Sequence, residues 1–239
     1  MGNMSDPPID PRWPKILSLS VHEFRSPLTV VAGYIRMLLK DRAGPLSDQQ
    51  RRLLEEAEKS CGRLTSLLQE VSDLSTVEAG NAPLKRQPAD LHTALRAAVE
   101  QLPPLPDREV AIDLQLGSSP APISADTTRL TDAFKWIFSA LRRELVTSDR
   151  LLVRERPTTH DGVPAYELHI GDEETLAALD AEGRDERVLF DEWRGGCGLT
   201  LPVARRIVNA HDGWIWGAPD GRKAGARVVL LRHRRYTLL

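Results

Sequence analysis

Ser20-Val-His-Glu-Phe-Arg-Ser-Pro-Leu-Thr29 sits inside the most regular apolar repeat of the chain. Around it, Leu17, Val21, Phe24, Leu28, Val31, Ile35 and Leu38 recur at alternating spacings of four and three, which is a heptad seam on a helix running from Pro14 to Lys40. Asp41-Arg-Ala-Gly-Pro-Leu46 breaks that helix at Gly44 and Pro45, and Ser47 with Gln50 reads as a capping box opening a second one. The second helix repeats the seam at Leu53, Ala57, Ser60, Leu64, Leu67, Val71 and Leu74 and is expected to end at Gly80. Each arm is about 27 to 33 residues, or roughly 40 to 50 Å long. Such a hairpin, with Leu39, Leu54 and Leu68 flanking its stripes, cannot bury its apolar surface alone. Pairing of two copies into a four-helix bundle does so, the alternative being that the stripe packs on the rest of its own chain.

His22 directly follows the seam residue Val21, so its imidazole is expected at the edge of the bundle, within reach of solvent. Glu23 is its neighbour and Ser26 lies one helical turn on. Pro27 has no N–H to offer the carbonyl of Glu23, and a bend is expected just beyond the histidine. A mid-helix proline costs about 3 kcal/mol, which points to a functional reason for keeping it. An exposed neutral imidazole is a nucleophile toward a phosphoryl group, and an adjacent carboxylate orients it or takes its proton. A hydroxyl one turn away is placed to position a water.

The whole chain has 239 residues, 41% hydrophobic and 28% charged, which suits two small domains and excludes a disordered chain or a fibre. A net charge of −2 gives no global field toward nucleic acid or an anionic membrane, so neither is expected as a partner. Cys61 and Cys197 make no disulfide framework and match no zinc spacing, which suits a reducing compartment. With no apolar leader and no uncharged apolar run of about 18 residues, the expected localisation is cytoplasmic.

Beyond Gly80 the composition changes. Residues 81–88 read as a polar linker, Asp90 to Leu102 as a helix, and Glu109 to Leu116 as a strand. Thr127 to Glu144 and Pro202 to His211 read as helices, with Pro202 in a first turn. Leu151 to Arg156, Tyr166 to Ile170, Trp214 to Trp216 and Ala226 to Arg232 read as strands, which makes this half an α/β sandwich. Trp136, Trp193, Trp214 and Trp216 are expected in the core, and the basic run from Arg222 to Arg235 on a solvated strand edge. The other histidines show no metal-ligand spacing, so no metal site is expected from them.

His22-Glu-Phe-Arg-Ser-Pro-Leu-Thr29, the hairpin and the Asp73-Leu-Ser-Thr-Val-Glu-Ala-Gly80 ending together resemble the phosphoacceptor domain of two-component sensor histidine kinases. The resemblance implies a dimerising, histidine-bearing hairpin over residues 12–80 and an ATPase-type sandwich over 84–235. It implies that His22 is the phosphoacceptor, that Glu23 assists phosphoryl transfer, and that Ser26 stands where a Thr or Asn positions water for phosphatase activity. It further implies a homodimer, a response-regulator receiver domain as partner, and ATP with Mg²⁺ as cofactors. With about twenty residues before His22, input is expected from a separate sensor or kinase protein, or from a ligand of the second domain.

The second half resembles the family's ATP-binding domain with replacements at its chemical positions. Trp136 and Ala140 stand where the N-box has two asparagines, the second of them a Mg²⁺ ligand, and neither side chain carries an oxygen. Asp172 stands at the aspartate that receives the adenine amino group, with both following glycines of that motif replaced. Gly196 and Gly198 match the glycine-rich motif, and only Arg194 and Gly195 remain where the ATP lid lies. Nine acids against two arginines between Asp172 and Glu192 oppose a triphosphate there, unless the segment faces away. The resulting expectation is a family member that exchanges phosphoryl groups between His22 and a receiver aspartate, with its ATP site eroded. An active ATP-dependent kinase and a non-catalytic pseudokinase scaffold for a regulator or kinase stand as the alternatives.

Overall fold

The computed structural model describes residues 12–78, 84–105, 108–181, 188–193, 198–219, 222 and 224–233. The chain divides into two compact units, Met1–Ala82 and Pro83–Leu239. The first is a hairpin of α1 (Trp13–Leu39) and α2 (Asp48–Glu78). α1 starts with Pro14 in its first turn and runs through Pro27 without a break. The capping box forms as a reciprocal pair, Gln50 N–H donating to Ser47 Oγ at 3.3 Å and Ser47 N–H to Gln50 Oε1 at 2.9 Å. Arg51 locks the turn by donating to both Asp41 oxygens at 2.9 Å and to the Leu39 carbonyl. At the open end, Ser75 Oγ donates to the buried Pro14 carbonyl at 2.6 Å. Gly80 and the side chain of Leu74 lie outside the described residues.

The apolar stripe proves to be two stripes. Val21, Ala32 and Ile35 are buried against α2, with Leu17, Leu28 and Leu39 half-buried beside them. On α2 the facing line is Leu54, Cys61, Leu68 and Ser75, seven residues apart, together with Ala57. Phe24 (63% exposed), Val31, Leu53, Leu64 and Leu67, expected on the same seam, are exposed, as are Ile16, Val30 and Tyr34. The hairpin's own contact thus uses one side of each helix and leaves a second apolar face open.

The second unit contains β1 (Gln87–Asp90), α3 (Leu91–Glu100), β2 (Ala111–Gln115), β3 (Pro122–Ala125) and α4 (Thr127–Glu144). There follow β4 (Arg150–His160), β5 (Val163–Gly171), α5 (Glu173–Ala181), α6 (Thr200–Ala210), β6 (Gly213–Gly217) and β7 (Ala226–Leu231). The end of the expected linker is strand, because β1 pairs with β3 in a two-stranded antiparallel ribbon. The main sheet has the order β2-β4-β5-β7-β6, with β2 parallel to β4 and every other pair antiparallel. Asp161 (φ 49°) and Gly162 (φ 76°) turn β4 into β5, the two-residue geometry that suits the right-handed twist of paired strands.

Strand alternation divides this sheet into two faces. Leu151, Val153, Leu168, Ile170, Ile215 and Val228 are buried on one, with Phe134, Phe138, Leu91 and Leu95 from the helices. α4 packs against both α3 and α6, and Phe134 stacks on Phe138 with centroids 5.8 Å apart. On that same face Glu155 of β4 lies 2.6 Å from His92 of α3. The tryptophans do not fill this core: Trp214 and Trp216 alternate onto the other face of β6, where His160 stacks on Trp214 at 4.0 Å, and Trp193 is exposed. The described part of the basic run is not an exposed edge either, Lys223, Arg234 and Arg235 lying outside the described residues. β7 lies inside the sheet, Arg227 is 6% exposed and bound to Glu167, and Arg222 reaches Glu174 at 2.9 Å.

Candidate functional site

α1 holds His22 on its solvent side, one residue past the buried Val21. The imidazole is 79% exposed and its Nδ1 lies 3.5 Å from Glu23 Oε1, so the carboxylate is a loose charge partner at Nδ1. Nε2 is the nitrogen turned from Glu23. Ser26 is exposed one turn further on. Thr29 donates its hydroxyl to the Arg25 carbonyl at 2.8 Å, and Arg25 reaches Gln69 of α2 at 3.3 Å, which ties the turn after His22 to the second arm. Each of the three hairpin residues singled out from sequence therefore stands on the outside of α1, within about one turn of helix.

In the second unit, Asp172 is the cap of a helix. Its Oδ1 accepts the Thr175 N–H at 2.8 Å and its carbonyl accepts from Leu176 at 2.8 Å, which starts α5 where the altered glycine motif stands. The signal was in the chain: Asp172 is followed by Glu173 and Glu174, favourable at a helix N-terminus, then by Leu176 and Leu179, both buried. The acids of this stretch are also less bare than their count implied. Asp180 binds Arg154 and Arg156 at 3.1 and 3.0 Å, Glu174 binds Arg222, and the buried Glu192 lies 3.3 Å from Arg205 and Arg206 of α6. Cations from other elements offset them, so the local net charge is no measure of repulsion toward a phosphate. Arg222 holds the Glu174 carboxyl below the usual carboxylate range.

Of the positions matched to a nucleotide site, Ala140 is buried in α4 and Trp136 is half-buried one turn before it. Neither supplies an oxygen, so these two do not fit a Mg²⁺ ion. Gly198 takes a left-handed φ of 57° that glycine adopts without strain. Gly196, Cys197 and the two residues before them lie outside the described residues. Asp212 also has a positive φ of 54° and binds Arg86 at 2.5 Å.

Beside it, His211 closes the joint between α6 and α4. Its Nδ1 donates to the Ile207 carbonyl at 2.7 Å, and its Nε2 accepts the Asp126 N–H at 3.0 Å. Burial pushes its pKa below the ordinary 6.5. A histidine that resists protonation when folded but not when unfolded adds stability above the unfolded value and loses it as pH falls below 6.5 toward the lower folded value. Wild-type melting temperature is therefore expected to drop on acidification across that window. His211→Asn, which cannot titrate, should show a shallower drop in the same melts.

Residues 16–80 match the family model described as His Kinase A (phospho-acceptor) domain. Over that hairpin the chain is similar to the phospho-acceptor domain of histidine kinases. Among its histidine kinase relatives, the circadian input-output histidine kinase CikA of Synechococcus elongatus is 28% identical over 221 residues, covering 84% of this chain and 27% of that one. The signal transduction histidine-protein kinase BarA of Escherichia coli is 28% identical over 207 residues, covering 81% and 22%. The sensor protein GacS of Pseudomonas syringae pv. syringae is 26% identical over 209 residues, covering 81% and 22%. The chain thus spans about a quarter of the length of these histidine kinases. Full-length ShkA, crystallised with AMPPNP, superposes with a TM-score of 0.63 at 23% identity over 92% of this chain and 45% of that one. The histidine kinase AdeS of Acinetobacter baumannii gives 0.54 at 18% identity over 90% and 98%. These likenesses carry the fold, a helical hairpin followed by a mixed α/β domain. No helix among the described residues is long and apolar enough to cross a membrane.

Proposed function

We propose that this chain is a phosphotransfer member of the histidine kinase family, in which Nε2 of His22 exchanges a phosphoryl group with an aspartate of a response-regulator receiver domain. The observation that carries this is His22 itself, exposed on a phospho-acceptor hairpin with Glu23 at its Nδ1. When Nε2 attacks an aspartyl phosphate, an N–P bond forms, the P–O bond to the aspartate breaks, and the carboxylate leaves; Glu23 stabilises the charge that develops on the ring. Ser26 is assigned to positioning a water that attacks the receiver's aspartyl phosphate, breaking its P–O bond to the aspartate and releasing inorganic phosphate. The second unit keeps the fold of an ATPase domain without the amide that would ligate Mg²⁺, and autophosphorylation from ATP is not part of its role. When bound, ATP would supply the phosphoryl group; Asp172, Gly196 and Gly198 are the positions left to receive it, and they favour the second reading, a working ATP-dependent kinase.

Purified protein incubated with radiolabelled ATP and Mg²⁺, beside His22→Gln, separates the two. Acid-labile label on wild type alone establishes the kinase. No label, with no heat of nucleotide binding by calorimetry, leaves the phosphotransfer reading and the scaffold reading, which transfer from a phosphorylated receiver then divides.

The exposed stripe of Phe24, Val31, Leu53, Leu64 and Leu67 is assigned to a second copy of the hairpin, giving a four-helix homodimer. Leu64→Glu with Val31→Glu is expected to convert the dimer to a monomer by light scattering. Helicity by circular dichroism should not change, because neither side chain is buried within its own hairpin.

A further inference from the structure

Asp172 keeps a carboxylate at the position matched to adenine recognition, and the space beside it is taken by the first turn of α5. Thr175 is 2% exposed there and Leu176 is fully buried. Ile170 of β5 pairs with Ala226 of β7, so Gly171 and Gly225 stand opposite each other one residue beyond the end of that ladder. A Cβ added at Gly171 would fall within 2.6 Å of the Thr175 methyl, and one at Gly225 would meet both that methyl and the Ala218 side chain. Two facing glycines leave a slot because neither carries a side chain, and the Thr175 methyl fills it.

The helix that brings Thr175 there is fastened at both ends. At its start, Asp172 accepts the Thr175 N–H at 2.8 Å, and Arg222 of the β6–β7 connection binds Glu174 at 2.9 Å. In the middle, Leu176 and Leu179 are buried. At its end, Asp180 lies 2.8 Å from Nδ1 of the buried His169 and 3.1 and 3.0 Å from Arg154 and Arg156, while His169 Nε2 lies 3.0 Å from Glu167. A planar ligand entering beside Asp172 would have to expel a close-packed side chain and break the contacts that hold its helix.

We propose that α5 is a built-in plug, in which Thr175 takes the room beside Asp172 that an adenine base would need and so closes the second unit to adenine nucleotides. The inference rests on the reading of this unit as an ATPase fold with an eroded site. It names what excludes the nucleotide there: a side chain of the same chain, in addition to the missing Mg²⁺ ligand. Because the plug acts on the base, the exclusion is independent of the divalent ion and of the phosphates.

The test is titration of the ¹⁵N-labelled full chain with adenosine, without Mg²⁺, followed by calorimetry and by amide resonance positions. Wild type is expected to give no heat, and no shift at Gly171, Thr175 or Gly225, up to about 1 mM. Thr175→Gly keeps the N–H that Asp172 accepts and removes the side chain between the two glycines. It should reach half-saturation by about 1 mM, at least about tenfold tighter than wild type, with shifts at those same amides. Wild-type binding that shifts these amides overturns the proposal, and so does a folded Thr175→Gly variant that stays silent. Should Thr175→Gly fail to fold, Thr175→Ser, which removes the methyl alone, takes its place with the same two outcomes. Transfer from a phosphorylated receiver to His22, measured on the same wild-type preparation, tests the phosphotransfer reading separately.

Discussion

His22→Gln is expected to abolish transfer of phosphate from a phosphorylated receiver domain to this protein. The reason is chemical. A glutamine amide nitrogen has its lone pair delocalised into the carbonyl and does not attack phosphorus, whereas the neutral imidazole nitrogen does. The substitution is at a 79% exposed position on a helix, so folding is unaffected and the mutant serves as a true blank. Glu23→Gln should retain transfer at a rate lower by about a hundredfold, the low end of what a positioned acid–base group contributes. Label that stays on His22→Gln would place the acceptor elsewhere, and the hairpin would then be a docking surface only.

The largest effect on stability is expected at Glu155. Its side chain is 7% exposed and Oε2 takes two contacts, His92 at 2.6 Å and the Gly117 N–H at 2.7 Å. Glu155→Leu leaves both without an acceptor inside the fold. Breaking one side of such a buried pair costs about 3–5 kcal/mol, which for a unit of this size lowers the melting temperature by roughly 6–20 °C. The double variant Glu155→Leu with His92→Leu removes the orphaned ring as well and should recover much of the loss, so thermal melts of the two single variants and the double variant together read the coupling. A loss in the double variant equal to the sum of the two single losses would show that the pair is not coupled.

The hairpin was legible because a heptad repeat, a capping box and a broken turn each say the same thing, and local signals of that kind survive into the fold. What the repeat could not show is which side of each helix meets its own partner. Leu53 and Leu54 are adjacent and both apolar, yet one faces out and the other in, a choice made by the packing of Cys61 and Ile35 between the arms. His22, Glu23 and Ser26 were grouped by helical spacing, since one turn is a fixed distance, and their expected roles came from the resemblance of His22–Thr29 to a phosphoacceptor motif. In the second unit the helices and central strands announced themselves by period. α5 was missed because its opening residues were read against a family motif instead of as an Asp-capped, acid-led helix start. The His169 cluster and the His92–Glu155 pair lie beyond any sequence reading, for their partners come from different strands and helices and only the register brings them together.

That register also distributes the entropic cost of the sheet unevenly. β4 and β5 are joined by Asp161 and Gly162 alone, and closing two residues into a turn fixes little chain. β2 meets β4 in parallel only after the chain has passed through β3 and the whole of α4. Its pairing therefore bears far more loop-closure entropy than the β4–β5 turn, with a small ribbon and one helix holding the ends together. A sheet of this order is cheap to start at the β4–β5 turn and dearer to extend to the β2 edge, and the contact of α3 with β4 through His92 and Glu155 lies where that edge strand must be secured.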